Sequence, residues 1–163
     1  MSDAPRTGLF RTTLPLPSNE KAVPAARLIW LQTENDHGKP VVVLPSGVTD
    51  NRWTFGNRGF LVNDPTWLAS LVALPPQGFY QLDGDVRLQG GVTLPGGLLV
   101  QLGFTRTGES VVFPGHLFPG NQIRFASRGA KLGDLQLEKL TPQRFKLLAP
   151  PNAEAPAPDA TSD

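Results

Sequence analysis

Cysteine is absent from the 163-residue chain, and long apolar runs are missing as well. The first absence excludes disulfide frameworks, iron–sulfur clusters, thiolate zinc sites and cysteine nucleophiles. No apolar run approaches the ~18 residues that a transmembrane helix needs, so we expect no membrane partner. The first residues also lack the basic start and the apolar stretch of a secretory signal, which predicts a cytoplasmic protein.

The sequence motifs of familiar catalytic and cofactor sites are missing too. There is no phosphate-binding P-loop, dinucleotide fingerprint or zinc-protease helix motif, and Ser46 lacks the glycines of a nucleophile elbow. The two histidines are His37 and His116. Glu34, Asp36 and His37 are close in sequence, but neighbouring side chains in a strand-like turn point apart. We therefore expect no metal and no cofactor.

Glycine and proline, 17 of each, are concentrated at the ends of short apolar runs. Proline sets φ for the first corner of a turn and a following glycine supplies the positive φ of a type II turn, as at 114–115 and 119–120. Between the turns, apolar residues alternate with a period of two, for example over 98–104. This pattern predicts an all-β or β-rich fold with one or two short helices. The expected architecture is a small barrel or sandwich of about nine or ten short, mainly antiparallel strands.

Two hairpins and two helices are predicted at particular places. Residues 105–109 should form the turn of one hairpin, and the Asp-Gly-Asp step at 83–85 should form the turn of another. Asp64 can cap a helix that begins with the proline after it. Thr141 can cap a second helix over 142–148.

Composition divides the chain into three parts. Residues 1–7 are predicted to be a flexible N-terminus, 8–148 a single β-rich domain and 149–163 a disordered acidic tail. The tail has four prolines, three acidic residues and no basic residue. It has too little apolar surface to offset the entropy of ordering. Residues 1–148 carry 15 basic and 11 acidic residues, which is a modest positive charge.

The pattern most suggestive of binding lies at 51–62. Trp53 and Phe55 would share one face of a strand, with Arg52 and Arg58 beside them. Exposed aromatic rings stack nucleic-acid bases while nearby arginines neutralise phosphate, so these four residues are candidates for nucleic-acid binding. The alternative is that Trp53 and Phe55 are core residues, as aromatic residues in small β domains usually are.

Two further arginines and a possible loop extend the set of candidates. Arg124 and Arg128 would enlarge the basic face if their strand lay beside the one at 53–60. His116 and Phe118 lie between two proline–glycine steps. They could be displayed on a rigid partner-binding loop, or the segment could be a tight corner that tucks Leu117 and Phe118 into the core.

Three classes of function remain. The first is a non-catalytic binding module that holds nucleic acid on an arginine and aromatic sheet face. The second is a structural, assembly or regulatory protein that binds another protein or self-associates as a homo-oligomer. The third and least favoured is a hydrolase-type enzyme that uses one of the histidines.

Overall fold

Five strands form the first of two antiparallel sheets. The computed structural model describes residues 4–143. The strands of the first sheet are β1 Gly8–Arg11, β2 Leu28–Gln32, β3 Val41–Thr49, β4 Arg52–Leu61 and β5 Val72–Ala73. They are ordered β4-β3-β2-β1-β5, and a short helix, α1 Pro65–Ala69, connects β4 to β5. One edge of this sheet is therefore β4, which carries four of the candidate binding residues.

The second sheet and a separate ribbon contain the other strands. They are, in chain order, β6 Gly78–Leu82, β7 Val86–Arg87, β8 Thr93–Leu94, β9 Leu99–Phe104, β10 Ser110–Phe118, β11 Gln122–Phe125, β12 Ala130–Lys131 and β13 Leu140–Pro142. The sheet order is β11-β10-β9-β6-β13, β12 pairs with β10, and β7 and β8 form the ribbon. A 3-10 helix, Asp134–Lys139, precedes β13. The predicted β-rich fold is confirmed. Since neither sheet closes on itself over residues 4–143, it is sandwich-like and not a barrel.

Alternation along β1 and β2 divides the core into two clusters. Leu9 and Leu28 point to one side and join the larger cluster, which is built mainly from the second sheet. Phe10 and Ile29 are cross-strand partners. They point to the other side and pack with Trp67 of α1 in the smaller cluster. The first sheet therefore contributes to both clusters, because successive strand residues face opposite ways.

One of the two predicted helices is present. Asp64 Oδ1 accepts a hydrogen bond from the backbone N–H of Trp67 at 3.0 Å, which is the expected N-cap. The second prediction is wrong at its start, because Thr141 and Pro142 lie in β13 and pair with β6. Pairing with the otherwise open edge of β6 outweighs the local cap signal. Residues 144–148 of that predicted helix, and the predicted tail at 149–163, lie outside the described residues.

One of the two predicted hairpins is also present. The turn at 105–109 joins β9 to β10, and Thr105 N donates to the Glu109 carbonyl at 2.9 Å. The hairpin predicted at 83–85 is wrong, because β6 is paired on one side with β9 and on the other with β13. The strand that follows, β7, pairs with β8 instead.

The second sheet has little space at one point of β9. A Cβ at Gly103 would lie 2.9 Å from the Asn51 carbonyl oxygen and 3.1 Å from the Phe113 ring, whereas a Cβ at Gly8 would meet nothing closer than 4.0 Å. Gly103→Ala should therefore lower the free energy of unfolding by about 1–3 kcal/mol. Gly8→Ala is the matched control and should change it little. Urea unfolding of both variants measures this, and equal effects would contradict the tight approach of Asn51 to β9.

Candidate interaction surface

The tip of the β3–β4 hairpin is hydrogen-bonded to the second sheet. Asp50 and Asn51 form the two-residue turn with φ values of 50° and 62°, as a type I′ turn requires. Asn51 Nδ2 donates to Gln101 Oε1 at 3.1 Å and to the Ala126 carbonyl at 3.2 Å. Gln101 Nε2 donates to the Asp50 carbonyl at 2.7 Å, and Gln101 is only 4% exposed. Each polar group of this buried amide is therefore satisfied, and the tip is held between β9 and the end of β11.

Trp53 is fixed by its backbone and by its indole group. Its backbone N–H donates to Gln77 Oε1 at 2.7 Å, and Gln77 Nε2 donates to its carbonyl at 3.2 Å. The indole Nε1 donates to the Phe104 carbonyl at 2.6 Å, and the Arg106 guanidinium lies 5.7 Å from the ring centroid. The ring is partly buried and packs against the larger core cluster. It is therefore used in packing between the sheets.

Phe55 is placed in a similar way. Its ring centroid is 6.0 Å from that of Trp30, and it is partly buried against the same core cluster. The geometry thus corresponds to the alternative in which Trp53 and Phe55 belong to the core. Neither ring forms an open stacking platform on the sheet.

Three of the four candidate arginines lie close in the chain to the residues that the hydrogen bonds of the hairpin tip join. Arg52 follows the tip directly, while Arg124 and Arg128 each lie two residues from Ala126, whose carbonyl the tip binds. All three are exposed. Arg58 lies six residues along β4 from Arg52, about 20 Å at the usual strand rise. Within residues 4–143, none of the four forms a salt bridge.

β10 and β11 extend beyond the rest of the second sheet as a two-stranded arm, residues 115–125. The last residue pair between β10 and β9 is Pro114 with Val100, after which 115–118 pair only with 122–125 among the described residues. The predicted turn at Pro114 and Gly115 is wrong, because β10 runs straight through it. The Pro114 carbonyl accepts from Ala126 N at 3.0 Å, and a positive φ, 82°, is found instead at Gly120 in the turn of the arm.

The two faces of the arm differ in chemistry. Leu117 pairs directly with Ile123, and these side chains are 73% and 56% exposed. On the opposite face, His116 pairs with Arg124, whose guanidinium lies 5.0 Å from the ring centroid of Phe118. Phe118 is 42% exposed. The expectation that a corner tucks Leu117 and Phe118 into the core is therefore wrong, because both lie on a protruding strand.

Sequence reasoning missed the exposed pair on the arm. Alternation puts Ile123 and Phe125 on one face of their strand and Arg124 on the other, but it does not show which face is covered. The sequence carried no signal for the overhang, because the step at 114–115 predicts a turn where β10 in fact continues; β10 has nine residues and its neighbour β9 has six. The additional residues of β10 have no partner on β9, so one end of the longer strand has to overhang.

A cavity of about 640 Å³ lies beside the edge formed by β3 and β4. Its rim includes Glu34, Asp36 and His37, and Val43 and Leu61 are among its apolar lining residues. Among residues 4–143, no three or more His, Asp or Glu side chains, these included, are grouped so that they could hold a metal ion.

Among residues 4–143, two carboxyl groups have shifted pKa values, and both belong to ion pairs. The hydrogen bond from Lys131, 3.0 Å away, lowers the pKa of Glu109. The hydrogen bond from Arg11, 2.9 Å away, lowers the pKa of Asp134 and links β1 to the 3-10 helix. A catalytic general acid at neutral pH needs a raised pKa, and the pKa values of these two carboxyls are shifted in the opposite direction.

Asn51 offers a direct test of how the tip is held. Asn51→Gly keeps the positive φ available but removes the hydrogen bonds to Gln101 and Ala126, so it should lower the free energy of unfolding by about 1–3 kcal/mol. Asp50→Gly relieves the same kind of φ without removing the carbonyl that Gln101 binds, and should be neutral or slightly stabilising. Thermal unfolding of both variants checks this. A loss of stability in Asp50→Gly as large as in Asn51→Gly would contradict the assignment.

Similarity to known proteins gives no information about the function of this chain, and neither do its helices. Within residues 4–143, no helix has the length and hydrophobicity needed to cross a lipid bilayer. The chain matches no protein-family model, no curated protein and no solved structure. The exposed apolar residues of the arm and the exposed arginines are therefore the surface features from which we infer a function.

Proposed function

We propose that the chain is a non-catalytic binding module that contacts another protein through the arm. The observation that carries the proposal is the exposed cross-strand pair of Leu117 and Ile123. A two-stranded hairpin alone is only marginally stable in water. Adjacent large apolar side chains that remain exposed are typical of a surface that another protein covers.

The arm has both kinds of side chain that a protein interface contains, apolar and polar. Such interfaces have an apolar centre and a polar rim, and a few large side chains contribute most of the binding energy. Leu117 and Ile123 provide the apolar part on one face. On the opposite face, His116 and Arg124 provide polar groups beside Phe118.

Nucleic acid is less well supported as the partner. Trp53 and Phe55 pack against the core, and Arg124 already covers one side of the Phe118 ring. The excess of basic over acidic residues is small. Arg52, Arg124 and Arg128 remain available to phosphate, so nucleic-acid binding is the competing result that the test must detect.

Site-specific photo-crosslinking tests the proposal in the cells that make the protein. A photoreactive amino acid replaces Leu117, and in a matched control it replaces Leu135, which lies in the 3-10 helix and is 87% exposed. Illumination should give a discrete larger product at position 117 that protease removes and nuclease does not. Position 135 should give only background.

Two results would count against a protein partner. Equal yields at positions 117 and 135 would show that the arm has no preferred contact. A product at 117 that disappears on nuclease treatment would identify nucleic acid as the partner instead.

A further inference from the structure

We infer that Arg27 and Arg106 form a binding site for one phosphate group of a small molecule. The two arginines are neighbours in the fold, because the backbone N–H of Leu28 donates to the Arg106 carbonyl at 2.9 Å. This hydrogen bond joins the start of β2 to the turn between β9 and β10. The turn precedes β10 and the arm lies at its other end, so the site is separate from the arm.

Both arginines are held in place by further contacts. The backbone N–H of Arg27 donates to Thr12 Oγ1 at 2.9 Å, and its carbonyl accepts from the backbone N–H of Thr12 at 3.0 Å. Thr12 is only 1% exposed. The Arg106 guanidinium lies 5.7 Å from the ring centroid of Trp53, within the range of a cation–π contact. The two side chains therefore extend from fixed points on the surface.

Arg27 contains a buried donor that the described part of the chain does not pair. Its Nε atom is buried and has no hydrogen-bond partner among residues 4–143. Buried polar atoms in folded proteins are nearly always paired, and an exception calls for an explanation such as a bound ion. The salt bridges of residues 4–143 use Arg11 and Lys131 as their bases, and the latter engages Glu109, the acid of the turn. Neither arginine of the site therefore has an acidic partner there.

The electrostatics of the pair favour an anion. Burial, and after it the positive charge of Arg106, lowers the pKa of Arg27. A guanidinium nevertheless stays protonated at neutral pH, so the two groups repel each other. An anion that contacts both of them removes this repulsion and gives the buried Nε–H an acceptor.

A phosphate group fits the pair better than a carboxylate does. A phosphate ester carries a charge of about −1.5 to −2 at pH 7, which balances two guanidinium groups, and it presents three acceptor oxygens. The planar fork of an arginine matches such oxygens in pairs. Nucleic acids, by contrast, are held through several phosphates at once. One pair of arginines therefore points to a small molecule with a phosphate group.

An NMR titration of the full chain with inorganic phosphate tests the inference, because the Nε–H signals report on individual arginines. The Arg27 Nε–H signal should shift and saturate with a dissociation constant of roughly 1 mM. Chloride at the same ionic strength should leave that signal in place. This titration needs no variant, so it decides the question even if a substitution prevents folding.

Two substitutions show whether both arginines are needed. Arg106→Gln should weaken phosphate binding at least about tenfold, since it removes one of the two charged donors. Arg87→Gln is the matched control, because it removes the same charge at an exposed position on β7. Its dissociation constant should stay within about twofold of that of the unmodified chain, since salt screens distant exposed charges.

Three results would overturn the inference. The first is an Arg27 signal that phosphate does not move, or that drifts without saturation together with those of the other arginines. The second is an equal loss of binding in Arg106→Gln and Arg87→Gln. The third is a single-stranded oligonucleotide that shifts the Arg27 signal at far lower concentration than phosphate, which would identify nucleic acid as the ligand. None of these results bears on the arm, so the proposed function is tested independently.

Discussion

A buried glutamine amide determines how the two sheets meet. Gln101 donates to the Asp50 carbonyl and accepts from Asn51, and almost none of it is exposed. Leaving such a group unpaired costs more than the hydrogen bond itself contributes, so the hairpin tip has one favourable position. That position presses Asn51 against β9 at Gly103, where a side chain would not fit.

The position of the tip decides which side chains are available for recognition. Trp53 follows the tip by two residues, and its indole group is thereby bonded to Phe104 and packed against the core. Arg52 adjoins the tip in the chain, and Arg124 and Arg128 each lie two residues from Ala126, to which the tip is bonded. The most exposed apolar groups of the second sheet are aliphatic and lie on the arm, because β10 extends there beyond β9.

Local sequence patterns predicted the elements that are stabilised by turns, caps and side-chain alternation within a short segment. The alternation over 98–104 and the turn at 105–109 predicted β9 and the first part of β10, and Asp64 predicted the start of α1. Two proline–glycine steps look alike in sequence, yet only the one at Gly120 adopts a positive φ. The difference lies in a distant hydrogen bond between Pro114 and Ala126, which no local pattern contains.

The candidate site, too, was predicted only in the features that local sequence determines. The spacing of Trp53 and Phe55 correctly places them on one strand, but whether that face is open depends on the sheet that packs against it. Thr141 has the chemistry of a helix cap and nevertheless pairs with Gln81, because the edge of β6 is open. Gln101, a polar residue within an apolar run, was the sequence signal of the buried amide.

A double-mutant cycle between Asn51 and Gln101 tests whether the buried amide holds the tip, with Asn51→Gly, Gln101→Ala and the combined variant compared by urea unfolding. We expect a coupling energy of about 1 kcal/mol or more between the two side chains, since they act through one shared hydrogen bond. Additive effects, with a coupling energy near zero, would show that the amide does not hold the tip and would contradict this expectation.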